Sequence, residues 1–326
     1  MIDLSTNYLG LTLSNPVVVG SSGLTDSIGN IQKAEKFGAG AVVLKSIFEE
    51  EIVFEYNDML KEASGKTGVD LKQFDYYDYH IRGKKLGGYI KLIQDSKKKV
   101  SIPIIASINC VYSHEWVSFA KEIQNAGADA IELNMFFLPS DLTRNDKHQD
   151  EMYFKVIQRL VESISIPVSL KISYYFSNLG HIIKKLSNTG LSGIVLFNRF
   201  FSPDIDIENF KVKTSFVFSN PSELAISLKW IAIMSQRVNC GLIASTGVHS
   251  GEGVIKQILA GAQAVQMVSA LYKNKFEYLS EVTDTIKKWM EKHEFQSLDD
   301  FRGKLSQSKY KNPAVFERVQ FMKYFS

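Results

Sequence analysis

Lysine, asparagine, serine and acidic side chains follow several apolar runs of this sequence, directly where each run ends. They are Lys45, Ser107, Asn109, Glu132, Asn134, Lys171, Asn198 and Arg199. Because side chains alternate along a strand, Glu132 and Asn134 are expected to point the same way. Amide and ammonium donors gathered in one place suit an anionic or electron-rich ligand.

The two lysines at strand ends need an explanation, because unpaired lysines are seldom buried. Lys45 and Lys171 are each expected to have an anionic partner. That partner is a bound ligand or an internal carboxylate, and the pair Lys45 with Glu132 is the simplest internal alternative. A lysine in such a place also suits Schiff-base chemistry of the aldolase type.

A phosphate site is predicted near the C-terminal end of the chain. The apolar runs 241–244 and 264–268 end in the small residues Thr246-Gly247 and Ser269-Ala270, and 253–259 predicts a helix between them. Backbone N–H groups left free at such turns suit a bound phosphate. A flavin mononucleotide (FMN) fits both signals, because a lysine would stabilise the negative charge that its ring gains on reduction.

The fold class follows from a junction of helix, glycine and strand that occurs four times. The glycines are Gly38, Gly127, Gly190 and Gly261. Strands are predicted at 16–20, 41–44, 100–108, 130–134, 168–172, 193–197, 241–244 and 264–268. Eight such units predict an α/β fold of the (β/α)8 TIM barrel type, in which the last two strand ends are the usual phosphate site.

One domain is expected for residues 1–326, because a chain of this length with 45% hydrophobic residues can bury one large core. Residues 9–20 predict a short N-terminal hairpin that leads into the first strand. Insertions are expected at 48–80, after strand two, and at 200–222, after strand six. The first is a lid, a subunit contact or an exposed loop, and 291–326 is a C-terminal extension.

Composition excludes several classes of function. The net charge is only +3, with 38 basic and 35 acidic residues interspersed, so neither nucleic acid nor a membrane surface is an expected partner. Two cysteines and six scattered histidines predict no disulfide framework and no metal site. No signal peptide and no spanning apolar run is found, which favours a cytoplasmic enzyme.

These residues, in this order, make the sequence similar to the dihydroorotate dehydrogenase family of flavin-dependent β/α barrels, over nearly the whole chain. The matching motifs are Asn15-Pro16, Ser22-Gly23, Gly40-Ala41, Lys45-Ser46, Glu132-Leu133-Asn134, Lys171, Asn198, Thr246-Gly247 and Ser269-Ala270-Leu271. The resemblance implies FMN as the cofactor and oxidation of dihydroorotate to orotate, a step of pyrimidine biosynthesis, as the reaction.

The resemblance also assigns residues to the two ligands. The isoalloxazine and ribityl groups would be held by Ser22, Gly23, Lys45, Ser46, Asn109, Asn134 and Lys171. The phosphate would be held by Gly247, Ser269 and Ala270. The substrate would face Lys45, Asn134 and Asn198.

The sequence departs from the family on the substrate side. Members that oxidise dihydroorotate carry a cysteine or serine base three residues beyond the asparagine, and Phe137 stands there in this chain. A phenylalanine takes no proton, so the catalytic base is unknown. The usual substrate loop is absent from 48–80, and Arg199 replaces the serine that follows Asn198 in the family. Arg199 and the aromatic pair Phe136-Phe137 would shape a pocket for another planar or anionic substrate.

Three functions are therefore open. The first is an FMN-dependent oxidoreductase acting on CH–CH bonds, with a small-molecule substrate and an unidentified electron acceptor. The second is a flavin-binding electron-transfer or regulatory protein without substrate chemistry of its own. The third is a phosphate-binding barrel with a Schiff-base lysine. Ser113, Asp141, Tyr174 and Tyr175 are candidate replacement acids or bases. Barrels with added loops often dimerise, so a homodimer is a further alternative.

Overall fold

The computed structural model describes residues 2–48, 74–109, 116–135, 146–200, 202–215 and 217–317. Eight of its strands close into an all-parallel barrel, because each strand pairs with two neighbours around the ring. In order around the barrel they are β3 (Val17–Val19), β4 (Ala41–Val43), β6 (Ile104–Asn109), β7 (Ala130–Asn134), β8 (Val168–Ile172), β9 (Gly193–Leu196), β12 (Gly241–Ala244) and β13 (Ala264–Met267). The predicted TIM barrel is confirmed.

Helices follow or flank these strands on the outside of the barrel. They are α1 (Ile28–Lys36), α2 (Phe74–Lys99), α3 (Trp116–Asn125), α4 (Asp146–Ser163), α5 (Leu179–Leu186), α6 (Leu224–Met234), α7 (Gly251–Ala260), α8 (Ser269–Asn274) and α9 (Tyr278–Lys292). Short 3-10 turns lie at Gly23–Thr25, Pro221–Glu223, Leu298–Asp300 and Pro313–Glu317.

Helix α5 illustrates why these segments are helical. Leu179, Ile182, Ile183 and Leu186 are all buried, and their spacing places them on one stripe that faces the barrel. Asn178 begins the helix, since its side chain accepts a hydrogen bond from the His181 backbone N–H at 3.3 Å. Local sequence and packing therefore agree on the position of this element.

The four junction glycines adopt the conformation that their role requires. Gly38, Gly127, Gly190 and Gly261 have φ angles of +92°, +96°, +87° and +120°. This left-handed region is open to glycine and strained for other residues, so each helix stops there and the chain turns into the next strand. The repeated junction that predicted the barrel is confirmed.

The N-terminal hairpin, β1 (Thr6–Tyr8) and β2 (Leu11–Leu13), supplies a floor for the barrel. Tyr8, Leu9 and Leu13 are buried among inward-facing side chains of the barrel strands, including Val43 and Ile105. The barrel is therefore a packed core at this end, and its cavity lies at the opposite end, where the strands finish.

The two predicted insertions differ from expectation in detail. Part of 48–80 is helical, because α2 begins at Phe74, and the sequence pattern predicted no helix there. After strand six of the barrel, β10 (Ser202–Asp206) and β11 (Lys211–Ser215) form an antiparallel hairpin. Ile205 and Val212 pair across it and are 66% and 72% exposed, so the apolar face of this hairpin is turned to solvent.

A short additional strand, β5 (Ile47–Phe48), extends the sheet beside β6 at the mouth of the barrel. Within the described ranges, none of the helices is both long enough and apolar enough to cross a membrane.

Candidate active site

A cavity of about 310 Å³ opens at the C-terminal ends of the barrel strands. Its walls come from strands on several sides of the ring and from the β10–β11 hairpin. The lining includes Ser21, Lys171, Asn198, Arg199, Ser219, Thr246, Gly247, Gln266 and Ser269. Five residues predicted for ligand binding therefore meet in one cavity, namely Lys171, Asn198, Arg199, Gly247 and Ser269.

A cluster of hydroxyl groups and one amide lies beside this cavity, at the ends of β4, β6 and β7. The Ser46 hydroxyl is 3.1 Å from that of Ser21 and 2.8 Å from that of Ser107. Asn134 donates to Ser46 at 3.0 Å and to Ser107 at 3.3 Å. Its own amide oxygen is buried, and no group of the described residues donates a hydrogen bond to it. Within the described part of the chain, the cluster thus keeps one strong acceptor open for a further donor.

Tyr89 anchors this cluster from the outer helix α2. Its hydroxyl accepts from the Ser107 backbone N–H at 2.8 Å and donates to the Ser107 carbonyl at 3.2 Å. Burial raises the pKa of Tyr89 well above its ordinary value, so the phenol stays protonated and can donate. Helix α2 is therefore tied to β6 at Ser107.

Lys171 lies at the bottom of the cavity, bound to two buried partners. Its ammonium donates to the Gln266 amide oxygen at 2.8 Å and lies 3.5 Å from a Glu132 oxygen. Gln266 also donates a short hydrogen bond to Glu132. The internal alternative that pairs Lys45 with Glu132 is wrong, because the Lys45 side chain is exposed and Glu132 pairs with Lys171. Among the described residues, Lys45 forms no ion pair.

The predicted phosphate turn has the geometry of a close backbone approach. Gly247 has φ of +77°, and a Cβ placed there would overlap the backbone nitrogen of Leu224, at the start of α6. Only glycine fits both conditions. Ser269 lies across the cavity, where its hydroxyl accepts from the Ser219 backbone N–H at 3.0 Å. The ends of β12 and β13 are thus brought together, as the sequence predicted.

Two basic side chains stand behind this turn. His249 is 2.9 Å from the Ser219 hydroxyl through Nε2, and the Lys273 ammonium donates to the Ser219 carbonyl at 3.4 Å. Burial lowers the pKa of His249, and the charge of Lys273 lowers it further. The lowered pKa favours the neutral form of His249 at neutral pH.

The other predicted cofactor residues lie around the same mouth. Ser22 closes its own turn, since its hydroxyl donates to the Gly20 carbonyl at 3.2 Å and accepts from the Leu24 N–H at 3.2 Å. Gly23 begins the 3-10 turn that follows. Asn109 ends β6 and is buried, and Ala270 is buried in the first turn of α8.

The predicted substrate side is built from loops. Arg199 donates through Nε to Glu223 at 2.9 Å and through Nη1 to the Val217 carbonyl at 3.0 Å. Asn198 accepts from the Arg199 backbone N–H at 2.9 Å. Arg199 is therefore held by a carboxylate of the protein, and its charge is largely balanced before any ligand binds.

A second cavity of about 340 Å³ adjoins the first at Asn198 and Arg199. Aromatic rings line it, with Tyr174 and Tyr175 at a centroid distance of 4.7 Å. A hydrogen bond with Tyr175 raises the pKa of Tyr174, as does partial burial. Tyr174 therefore remains protonated at neutral pH, which disfavours it as a replacement base.

The family's base position falls outside the residues that the structure describes. Phe136 and Phe137 lie there, as do the candidates Ser113 and Asp141. Within the described ranges, no group of three or more His, Cys, Asp or Glu side chains is arranged to hold a metal ion.

Sequence reasoning missed Gln266, Ser21 and Tyr89. Gln266 had a detectable signal, because a polar residue stands inside the apolar strand Ala264–Met267. Ser21 precedes the predicted Ser22, and only the turn decides which hydroxyl faces Ser46. Tyr89 had no signal, because a tyrosine within a helix on the outside of the barrel does not reveal from sequence that it reaches a strand end.

Comparison with known proteins assigns the family. The dihydroorotate dehydrogenase model matches residues 84–290, more than half of the chain. The chain therefore belongs to the dihydroorotate dehydrogenase family, whose members are flavin-dependent oxidoreductases acting on CH–CH bonds. The resemblance inferred from the strand-end motifs is confirmed.

Three archaeal relatives match along nearly their whole length. The chain is 26% identical to a protein of Thermoplasma acidophilum over 314 residues, which cover 93% of the chain and 99% of the relative. It is 24% identical to one of Thermoplasma volcanium, with 93% and 98% covered, and 25% identical to one of Methanocaldococcus jannaschii, with 92% and 97% covered. All three are called dihydroorotate dehydrogenase B (NAD(+)), catalytic subunit.

Proposed function

We propose that this protein is an FMN-dependent oxidoreductase that removes two hydrogens from a small, planar substrate. The observation that carries the proposal is the convergence of three groups on one cavity mouth. They are a close-packed glycine turn at Gly247, a buried ammonium at Lys171, and the polar cluster around Asn134.

The residues present fit FMN. The buried, unpartnered oxygen of Asn134 requires a donor, and the flavin ring carries an N–H group. Lys171 would face the pyrimidine edge of the ring, while Gly247 and Ser269 would hold the phosphate through their turns. FMN, when bound, supplies a ring nitrogen that accepts hydride from the substrate.

On this proposal the side chains of the protein hold the flavin ring and the substrate in place, and the redox chemistry belongs to FMN. Ser46, Ser107 and Asn134 would fix the plane of the ring through the hydrogen bonds described above. Lys171 would stabilise negative charge at its edge. Asn198 and Arg199 would face the substrate, with Lys45 at the open rim.

Dihydroorotate is the substrate that the family implies, and we propose that this chain oxidises it slowly. Its oxidation requires removal of a proton from carbon, and Phe137 occupies the position of the base. Tyr174 cannot replace this base at neutral pH, because its raised pKa keeps the phenol protonated. The efficient substrate would be another planar or anionic molecule that needs no base at this position.

The relatives are named as catalytic subunits of an NAD(+)-dependent enzyme. We therefore propose that electrons leave this protein through an accessory subunit, with NAD(+) as the final acceptor. Phe137 also favours a second candidate function, a flavin-binding electron-transfer protein without substrate chemistry of its own. A Schiff-base role for Lys171 is disfavoured, because the lysine would first have to leave Gln266 and Glu132.

The test is the visible absorption spectrum of the purified protein, followed by anaerobic addition of dihydroorotate. A flavin spectrum that bleaches slowly is expected. Flavin that no small reductant bleaches, while a partner protein does, would favour the electron-transfer function. Colourless protein that FMN cannot reconstitute would overturn the flavin proposal, and borohydride trapping of a carbonyl substrate would then identify a Schiff-base lysine.

The variant Phe137→Cys tests the missing base. Bleaching by dihydroorotate should accelerate by about 100-fold, in the range that a positioned base contributes. Phe137→Ala is the matched control, because it makes room without adding a group that takes a proton. Equal rates in the two variants would show that space, and not the base, limits the reaction.

A further inference from the structure

Three buried polar side chains form a connected unit inside the barrel, below the cavity. Lys171 donates to Gln266 at 2.8 Å, Gln266 donates to Glu132, and the Glu132 carboxylate lies 3.5 Å from the Lys171 ammonium. They come from β8, β13 and β7, so the unit spans the barrel interior. Glu132 has no exposed surface, and the Lys171 side chain is only 8% exposed.

The hydrogen bonds of this unit leave one direction open. An ammonium group has three N–H donors, and Gln266 accepts one of them. The Glu132 oxygen at 3.5 Å forms an ion pair with the ammonium without accepting a hydrogen bond. Among the described residues no other side chain accepts from Lys171. Because Lys171 lines the cavity, its remaining donors are available to a ligand there.

The charge of Glu132 is held where solvent cannot screen it. One of its oxygens has no hydrogen-bond partner among the described residues, which is costly for a buried carboxylate unless a positive charge is close. The nearby phenol of Tyr8 responds to the same charge, since burial and then Glu132 raise the pKa of Tyr8. Among the described residues, Tyr8, Tyr89 and Lys171 are titratable groups that the charge of Glu132 reaches.

We propose that Glu132 and Gln266 are positioning residues for Lys171. Gln266 fixes where the ammonium lies, and Glu132 sets how much net positive charge the cavity presents to a bound ring. This inference rests on the proposed FMN function. With Glu132 present, the charges of the site nearly cancel, and its affinities for oxidised and reduced FMN differ only moderately. Without it, the unbalanced ammonium favours reduced FMN, which carries an additional negative charge.

The test measures dissociation constants of oxidised and of anaerobically reduced FMN, and uses their ratio as the readout. Glu132→Gln keeps the shape and the bond to Gln266 while removing the charge. The dissociation constant of oxidised FMN divided by that of reduced FMN should rise about tenfold. In Glu132→Gln combined with Lys171→Met, the ratio should return to that of Lys171→Met alone. A purely structural role would weaken both states equally and leave the ratio unchanged.

Two further variants keep the test decisive. Glu132→Met removes the same charge from a side chain of similar size and should also raise the ratio, which covers the case that Glu132→Gln does not fold. Glu162→Gln is the control, because Glu162 lies on the surface of α4 and keeps its hydrogen bond from Gln158 as an amide. Folded variants of Glu132 whose ratio stays within twofold of the unmodified protein would overturn the inference. Unmodified protein that binds no FMN would instead overturn the proposed function.

Discussion

On one side of the barrel mouth, polar side chains are buried and bonded to each other. Ser46, Ser107 and Asn134 join three strand ends, and Gly247 packs against the start of α6. On the other side, beyond β8 and β9, aromatic side chains stand in loops, and Tyr174 and Tyr175 are 38% and 39% exposed. The first side is expected to hold the cofactor and the second to face the substrate.

This difference explains where the sequence keeps the family pattern and where it departs. Strand ends are fixed by barrel hydrogen bonds, so a ligand site built on them tolerates little change. Loops carry fewer such constraints and can alter their chemistry while the barrel stays intact. Arg199, a departure with clear chemical consequence, lies in such a loop, between β9 and β10.

The largest effect is expected for Gly247→Ala. The new methyl would meet the Leu224 backbone nitrogen at a φ of +77°, so either the turn or α6 must move. The absorption spectrum of the purified protein should show less bound flavin. The free energy of unfolding, measured by urea denaturation, should fall by about 2 kcal/mol or more. Gly38→Ala is the control, because Gly38 has φ of +92° with no atom within 4 Å of the added Cβ. If both variants keep flavin equally, the turn is not a phosphate site.

The next effect contrasts two buried tyrosines. Tyr89→Phe removes the hydroxyl that satisfies both backbone groups of Ser107 and should cost about 1–3 kcal/mol of unfolding free energy. Tyr8→Phe removes a buried hydroxyl that has no hydrogen-bond partner among the described residues and should cost less than Tyr89→Phe. Denaturant unfolding of both variants measures the difference. Equal losses would contradict the view that Tyr89 anchors the cluster.

A smaller effect is expected on the loop side. Arg199→Gln breaks the contact with Glu223, a partly exposed pair whose side chains are 23% and 25% accessible. The unfolding free energy should change by less than about 1 kcal/mol, and FMN affinity should stay within about threefold. Glu223→Gln serves as the matched variant of the same pair. Loss of flavin in Arg199→Gln would place this arginine on the cofactor side instead.

The smallest effect concerns pH. The pKa of His249 is lowered by burial and by Lys273, so the unfolded chain takes up its proton more readily than the folded protein. The contribution of His249 to the free energy of unfolding is fully present when the pH is above the ordinary histidine pKa. It decreases as the pH falls below that pKa. Between about pH 7.5 and about pH 5 the unfolding free energy should fall by a few tenths of a kcal/mol, given the partial exposure. In His249→Asn this part of the pH dependence should disappear.

The sequence by itself determined the barrel and indicated which polar groups lie at its mouth. Repeated junctions at Gly38, Gly127, Gly190 and Gly261 indicated βα units, and polar residues after apolar runs indicated the mouth. Both signals are local, because a helix stop and a strand end are each written in a few consecutive residues.

Only the tertiary structure decided which polar groups pair. Glu132 contacts Lys171 and Gln266 and not Lys45, because partners across a closed barrel depend on strand register and stagger. The same holds for Tyr89, which reaches Ser107 from a helix outside the barrel. The partly exposed Arg199–Glu223 pair arises where two loops meet, a contact that no local pattern encodes.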